Sequence, residues 1–178
     1  DEKYHEWPSL IIRILKKSLD SLDKKVDKET IITLCNLVEE KMSYLDENQI
    51  FLKWSVAKSY MLVNELSKAQ YFILDLLQIK PREFWLWNGL AETIVDDSKF
   101  SLACYCKSLL CQRDLKFNGR GKIGVIKELI KLENYDAASA EIQELVEYKI
   151  NHEQKIDDVL KGYIESKWYV HDRKKNDT

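Results

Sequence analysis

The sequence predicts an all-α protein built as a right-handed stack of antiparallel helical hairpins, an α-solenoid of about nine helices. Three observations carry this. Five glycines and two prolines punctuate 178 residues, too few for the frequent tight turns of a sheet-rich fold. Apolar residues recur at the three-and-four spacing of a helix face rather than alternating. Finally, Ala69, Ala103 and Ala138 lie 34 and 35 residues apart. Each closes a four-residue phrase: Leu66-Ser67-Lys68-Ala69, Phe100-Ser101-Leu102-Ala103 and Tyr135-Asp136-Ala137-Ala138. A bulky residue three before a small one, repeated at that period, marks a unit that buries its apolar face by stacking on copies of itself.

Pro8-Ser9 opens the first helix, whose stripe is Leu10, Ile11, Ile14, Leu15 and Leu19, and which is expected to run to about Leu22. Asp27 is the natural N-cap of the second, with Ile31, Leu34, Cys35, Val38 and Met42 on its apolar face. These form an N-terminal pair over residues 1–45 that lacks the repeated phrase. Asp46 with Gln49, Ser67 with Gln70, and Asn151 with Gln154 have the spacing of a capping box and predict three helix starts. Pro81, Asp96-Asp97-Ser98, Asn118-Gly119 and Asn134 supply further breaks. Residues 46–148 thus divide into three hairpins, pairing 47–63 with 66–79, 82–96 with 99–112, and 121–133 with 135–148. A last helix from about residue 152, bearing Ile156, Val159, Leu160, Tyr163, Ile164 and Trp168, caps the stack over 149–170. A polar tail, 171–178, follows.

The first hairpin places Val56-Ala57, Tyr60, Ala69, Ile73, Leu76 and Pro81 at the spacings W-x-x-L-G-x-x-Y, A-x-x-x-F and P. The second has Trp87, Leu90-Ala91, Ile94, Ala103 and Leu110, with Lys107 where an aromatic belongs and no terminal proline. The third has Val125-Ile126, Leu129, Tyr135, Ala138, Ile142 and Leu145, with Lys122 in place of the leading Trp. Over residues 47–148 the chain therefore resembles tetratricopeptide repeats. The runs 83–92, 103–111 and 135–142 are in addition similar to divergent tetratricopeptide-type modules of large bacterial proteins, some of which also carry nucleic-acid-binding β-barrels. The departure from those modules is at Asn118–Lys122, where an apolar helix start belongs. The resemblance implies a longer parent chain and a concave groove lined by the first helix of each hairpin. Transferred by register, the partner-binding positions are Phe51, Trp54, Lys58, Trp85, Asn88, Glu92, Lys127 and Lys131.

A formal charge of −2 and a pI near 6.0 give no global attraction to nucleic acid or to a membrane surface. No apolar run approaches the ~18 residues of a spanning helix, and Asp1-Glu2-Lys3-Tyr4 lacks the layout of a secretory signal. Because the first residue is not Met, the chain is expected to be a piece of a larger protein. Cys35, Cys104, Cys106 and Cys111 form no disulfide framework, so reduced thiols and a cytoplasmic location are expected. Cys104 and Cys111 share a helix face that Cys106 does not, so no metal site is expected.

Gly119-Arg120-Gly121-Lys122-Ile123-Gly124 spells G-x-G-x-x-G. A helix precedes it where a dinucleotide site needs a strand, and no Ser or Thr follows Lys122. His5, His152 and His171 are scattered, and no nucleophile motif or acid–base pair is visible. The expectation is accordingly a non-enzymatic module without cofactor that binds a protein, a peptide or another domain of its parent chain. The alternative is an RNA or phosphate contact through the basic segment 113–131. There Arg113, Lys116, Arg120 and Lys122 would hold the anion, helped by Lys127 and Lys131 and opposed by Asp114, Glu128 and Glu133. The sequence does not fix an oligomeric state.

Overall fold

The structure, a computed structural model, describes residues 6–23, 25–42 and 49–171, with side chains from residue 11 onward. Among the described residues there are nine α-helices and no strand. The chain divides into two units, residues 1–81 and 82–178. No helix among the described residues is long and apolar enough to cross a membrane.

The first unit contains α1 (Glu6–Asp20), α2 (Lys28–Met42), α3 (Ile50–Leu62) and α4 (Leu66–Ile79). α3 is its axis, since α1, α2 and α4 all pack on it. Its sequence explains the position: Leu52, Val56, Ala57 and Tyr60 are buried on one side, Ser55 and Ser59 on another, and a helix without a polar face belongs in the middle. Each serine hydroxyl finds an acceptor, Ser59 Oγ donating to Ser55 O at 2.9 Å. α4 has a narrower stripe, Ala69, Phe72, Ile73, Leu76 and Leu77. Between α3 and α4 the chain reverses through Asn64, which has φ 61°. The amide of Glu65 donates to Tyr60 O at 2.9 Å and that of Asn64 to Met61 O at 3.1 Å, the bond pair of a Schellman stop.

The second unit contains α5 (Phe84–Thr93), α6 (Ser98–Cys111), α7 (Leu115–Lys131), α8 (Tyr135–Asn151) and α9 (Asp158–Ile164). Each packs on the next, and α5 also meets α7. Side-chain caps start four of them. Asp97 accepts from the Phe100 amide, Asp114 from Lys116, Asn134 from Ala137 and Asp157 from Leu160. Ile126, Ile142, Leu145 and Leu160 form a core among α7, α8 and α9.

The all-helical class and the packing of consecutive helices are as the sequence predicts. Several boundaries differ. α7 begins at Leu115 rather than 121, with non-helical backbone at Asn118 (φ −122°, ψ 31°), so the expected break is a kink inside one helix. α8 continues to Asn151 and the last helix starts at Asp158, because Asp157 rather than Asn151 supplies the cap. Ser67 lies in the first turn of α4, which starts after Glu65 without a side-chain cap. Asp46 and residues 172–178 of the tail lie outside the described residues.

The repeated phrase also needs correction at its middle copy. Ala69 and Ala138 are fully buried, each the fourth residue of its helix, but Ala103 is exposed. The fourth residue of α6 is Ser101, which is buried and donates from Oγ to Ala91 O at 3.1 Å. Structural spacing is therefore 32 and 37 residues, not 34 and 35.

Candidate functional site

Within the second unit, α6, α7 and α8 enclose an open cavity of about 420 Å³, within the range of pockets that hold a small ligand or a partner's side chain. Leu109 and Leu110 of α6 and Leu115 and Val125 of α7 supply apolar walls. Arg113, on the link between these helices, lines it together with Lys122 of α7 and Glu141 and Glu144 of α8.

The cavity residues of α7, Leu115 before the kink and Lys122 and Val125 after it, are positioned by Asn118, whose side chain is completely buried. Its Oδ1 accepts from Asn88 Nδ2 at 2.9 Å and from the Gly121 amide at 3.2 Å. Its Nδ2 donates to Ser108 Oγ at 2.9 Å and to Gln112 O at 3.2 Å. Ser108 Oγ in turn donates to Phe84 O at 3.0 Å. One amide therefore ties α5, α6 and α7 together, using hydrogen bonds that burial makes costly to lose. It fixes the turn on which Leu115 enters the cavity wall.

Lys122 is the other constraint. Its side chain is 2% exposed, against 15% for Glu141 and 47% for Glu144. The ammonium pairs with Glu141 and, at 2.7 Å, with Glu144. A lysine this buried requires such partners, because an isolated ammonium out of water costs several kcal/mol. Carboxylate oxygens rather than the ammonium are thus the groups a visitor to this end of the cavity meets.

The positions expected from the sequence are distributed differently. Phe51, Trp54 and Lys58 belong to the first unit. Phe51 is 66% exposed and Trp54 half-buried. Lys58 Nζ donates to Asp20 Oδ1 at 2.8 Å, as does Ser55 Oγ, so α1 occupies part of the α3 face expected to be an open groove. Burial raises the pKa of Asp20, but hydrogen bonds from Lys16, Lys58 and Ser55 outweigh it and hold the carboxyl well below the usual range.

Trp85, Asn88, Glu92, Lys127 and Lys131 belong to the second unit. Trp85 is half-buried and donates to Glu83 Oε2 at 2.9 Å. Asn88 is buried against Asn118. Glu92 takes both arms of Arg120, Nε at 2.5 Å and Nη2 on its other oxygen. Lys131 pairs with Glu128 at 2.7 Å, and Lys127 is exposed. Of the expected anion-binding residues, Arg113 and Lys116 are exposed, Arg120 is committed to Glu92, and Lys122 is buried between two glutamates. Lys122 is thus held in an internal ion pair. The Gly119–Gly124 run is helical.

Of the cavity lining, sequence reasoning named only Arg113 and Lys122 as site residues and missed Cys106, Leu109, Leu110, Leu115, Val125, Glu141 and Glu144. The available signal was Lys122 at a position where the repeat pattern wants an apolar side chain, with two carboxylates at i and i+3 on a following helix. Among the described residues, no group of three or more His, Cys, Asp or Glu side chains is placed to hold a metal ion. Burial pushes the thiols of Cys35 and Cys104 up to about 11, which makes them inert at neutral pH.

No curated protein matches the chain. A family profile does, over residues 50–178, beginning at the first residue of α3. The chain thus belongs to the family described as a domain of unknown function, DUF7017.

Proposed function

We propose that this chain is a non-enzymatic binding module that takes a segment of a partner polypeptide into the α6–α7–α8 cavity. The observation that carries the reading is the cavity itself: open, walled by leucine and valine, and edged by charged groups held in fixed positions by their own ion pairs. An apolar pocket with a few fixed polar groups is the usual form of a recognition site. Leu110, 66% exposed at its edge, is the kind of apolar anchor that binding would cover.

Panning a random peptide library against the wild type and a Leu110→Asp variant tests this. An enriched consensus that the variant loses is expected, and the exposure of Leu110 keeps the substitution from disturbing the core. Equal enrichment by both proteins, or no consensus at all, overturns the reading.

The helical pairs are further read as divergent tetratricopeptide-type hairpins of a larger, cytoplasmic protein of the bacterial kind described above. Support comes from the small buried residue at the fourth position of α4, α6 and α8. The RNA or phosphate alternative retains one favourable feature, the exposed group Arg113, Lys116 and Phe117, with Lys116 Nζ 5.7 Å from the Phe117 ring centre.

A further inference from the structure

We infer that the α6–α7–α8 cavity takes an amphipathic helix of the partner polypeptide, seating two uncharged aliphatic side chains from adjacent turns. This rests on the proposed peptide-binding reading and specifies its chemistry. Charge comes first. Arg113 and Lys122 stand against Glu141 and Glu144 in the lining, which therefore carries no net charge. Lys122 is buried between the two glutamates, and each glutamate is engaged elsewhere as well. A charged side chain entering here sheds its hydration without meeting an uncommitted counter-charge, a cost that an aliphatic side chain does not carry. Leu109, Leu110, Leu115 and Val125 instead favour apolar contact.

Size sets the number of side chains. A cavity of about 150 Å³ holds one benzene ring. This one, at about 420 Å³, has room for more than one aliphatic side chain.

The backbone of the visitor sets its conformation. Two neighbouring side chains reach one cavity from an extended segment at i and i+2, or from a helix at i and i+4. An extended segment draws its affinity from a sheet edge, and a polyproline segment from an aromatic-lined groove. Among the described residues there is no strand, and none of those lining the cavity is aromatic. A helix satisfies its own amides and needs neither. The walls match one. Lys122 and Val125 of α7 are buried at the floor, Leu110 of α6 is exposed at the edge, and α6 and α8 both pack on α7, so the visitor lies over α7 as a further packed helix.

Five acetylated, amidated peptides in a helix-forming host of alanine, glutamate and lysine test the inference by titration into the full chain followed by amide NMR shifts. One carries leucine at i and i+4, a second leucine at i alone, a third both leucines with proline between them, and the last two lysine or glutamate at both positions. The two-leucine peptide is expected to bind at least about tenfold more tightly than the single-leucine peptide and than the proline peptide, whose helix is broken. Its affinity should change by less than about twofold between roughly 50 and 500 mM salt, because the lining is neutral. Leu110→Ala, an exposed substitution, should weaken it about fivefold. Equal binding of the lysine or glutamate peptide overturns the inference. Full-strength binding of the proline peptide, the outcome for an extended segment, overturns it too, as does the absence of any shift at cavity residues. After such a result the peptide-binding reading still stands if the library yields a consensus that Leu110→Asp loses; no consensus removes both.

Discussion

Gly119, Gly121 and Gly124 lie within six residues of α7 and differ in what an added methyl would meet. At Gly124 it would enter the van der Waals surface of the buried Tyr105 ring, and at Gly121 it would come 2.5 Å from Asn118 Oδ1, whereas at Gly119 nothing lies within 4 Å. Gly124→Ala should therefore cost about 1–3 kcal/mol through overpacking, while Gly119→Ala should stabilise by up to about 1 kcal/mol by restricting the unfolded chain. Urea midpoints of the two variants check the opposite signs. Asp20 gives a pH-dependent counterpart. Its folded pKa is held below the unfolded value of about 4, so its contribution is complete above that value and is lost as pH falls through the acid range. Asp20→Asn should lower stability by about 1 kcal/mol at pH 7, discounted for its partial exposure, and should flatten the acid limb of the stability profile. An acid limb identical to wild type would show that the Lys58 and Ser55 contacts contribute nothing.

At the scale of the element, the helix ends separate what could be read from the sequence from what could not. α3, α7 and α8 all end with a left-handed residue, Asn64, Glu133 and Glu153, with φ of 61°, 57° and 53°. Each is followed by the same six-to-one bond, Glu65 to Tyr60, Asn134 to Leu129 and Gln154 to Lys149. Asparagine tolerates that conformation but glutamate does not, so the end at 133 is legible only through the cap Asn134 that follows it, and the end at 153 carries no local signal. Glu133→Gly should consequently stabilise by about 1 kcal/mol, measured by thermal unfolding, because it removes the left-handed penalty. Capping shows the same division. Asp97 and Asn134 were legible as breaks because their side chains accept at the helix start. Asn151-Gln154 has the spacing of a cap but falls where α8 is still helical, since spacing alone does not fix the backbone. The cavity was illegible for a different reason. Its walls come from three helices, and the pairing of Lys122 with Glu141 and Glu144 depends on the rotation of α8 against α7, which periodicity does not determine.

At the scale of the whole chain, a formal charge of −2 limits any RNA contact to a local patch. With Arg120 and Lys122 engaged by glutamates, few phosphate contacts remain for Arg113 and Lys116. Retention of RNA at 50 mM salt, lost steeply by 200 mM and abolished by Arg113→Glu with Lys116→Glu, would support the alternative function; no retention is expected. The division at Pro81 and the start of the family match at residue 50 define two different candidate folding units, and they can be told apart. The second unit has its own core in Ile126, Ile142, Leu145 and Leu160. It also closes its own C-terminal segment, where the Val170 amide donates to Ser139 Oγ at 3.1 Å, Gln143 Nε2 donates to Val170 O at 3.0 Å, and Trp168 stacks on Tyr135 at 5.2 Å. A fragment of residues 82–178 should therefore fold alone, with a helical circular dichroism spectrum and a cooperative thermal transition. A fragment that is unfolded at 82–178 but folded at 50–178 would instead make α3 and α4 part of the smallest stable unit.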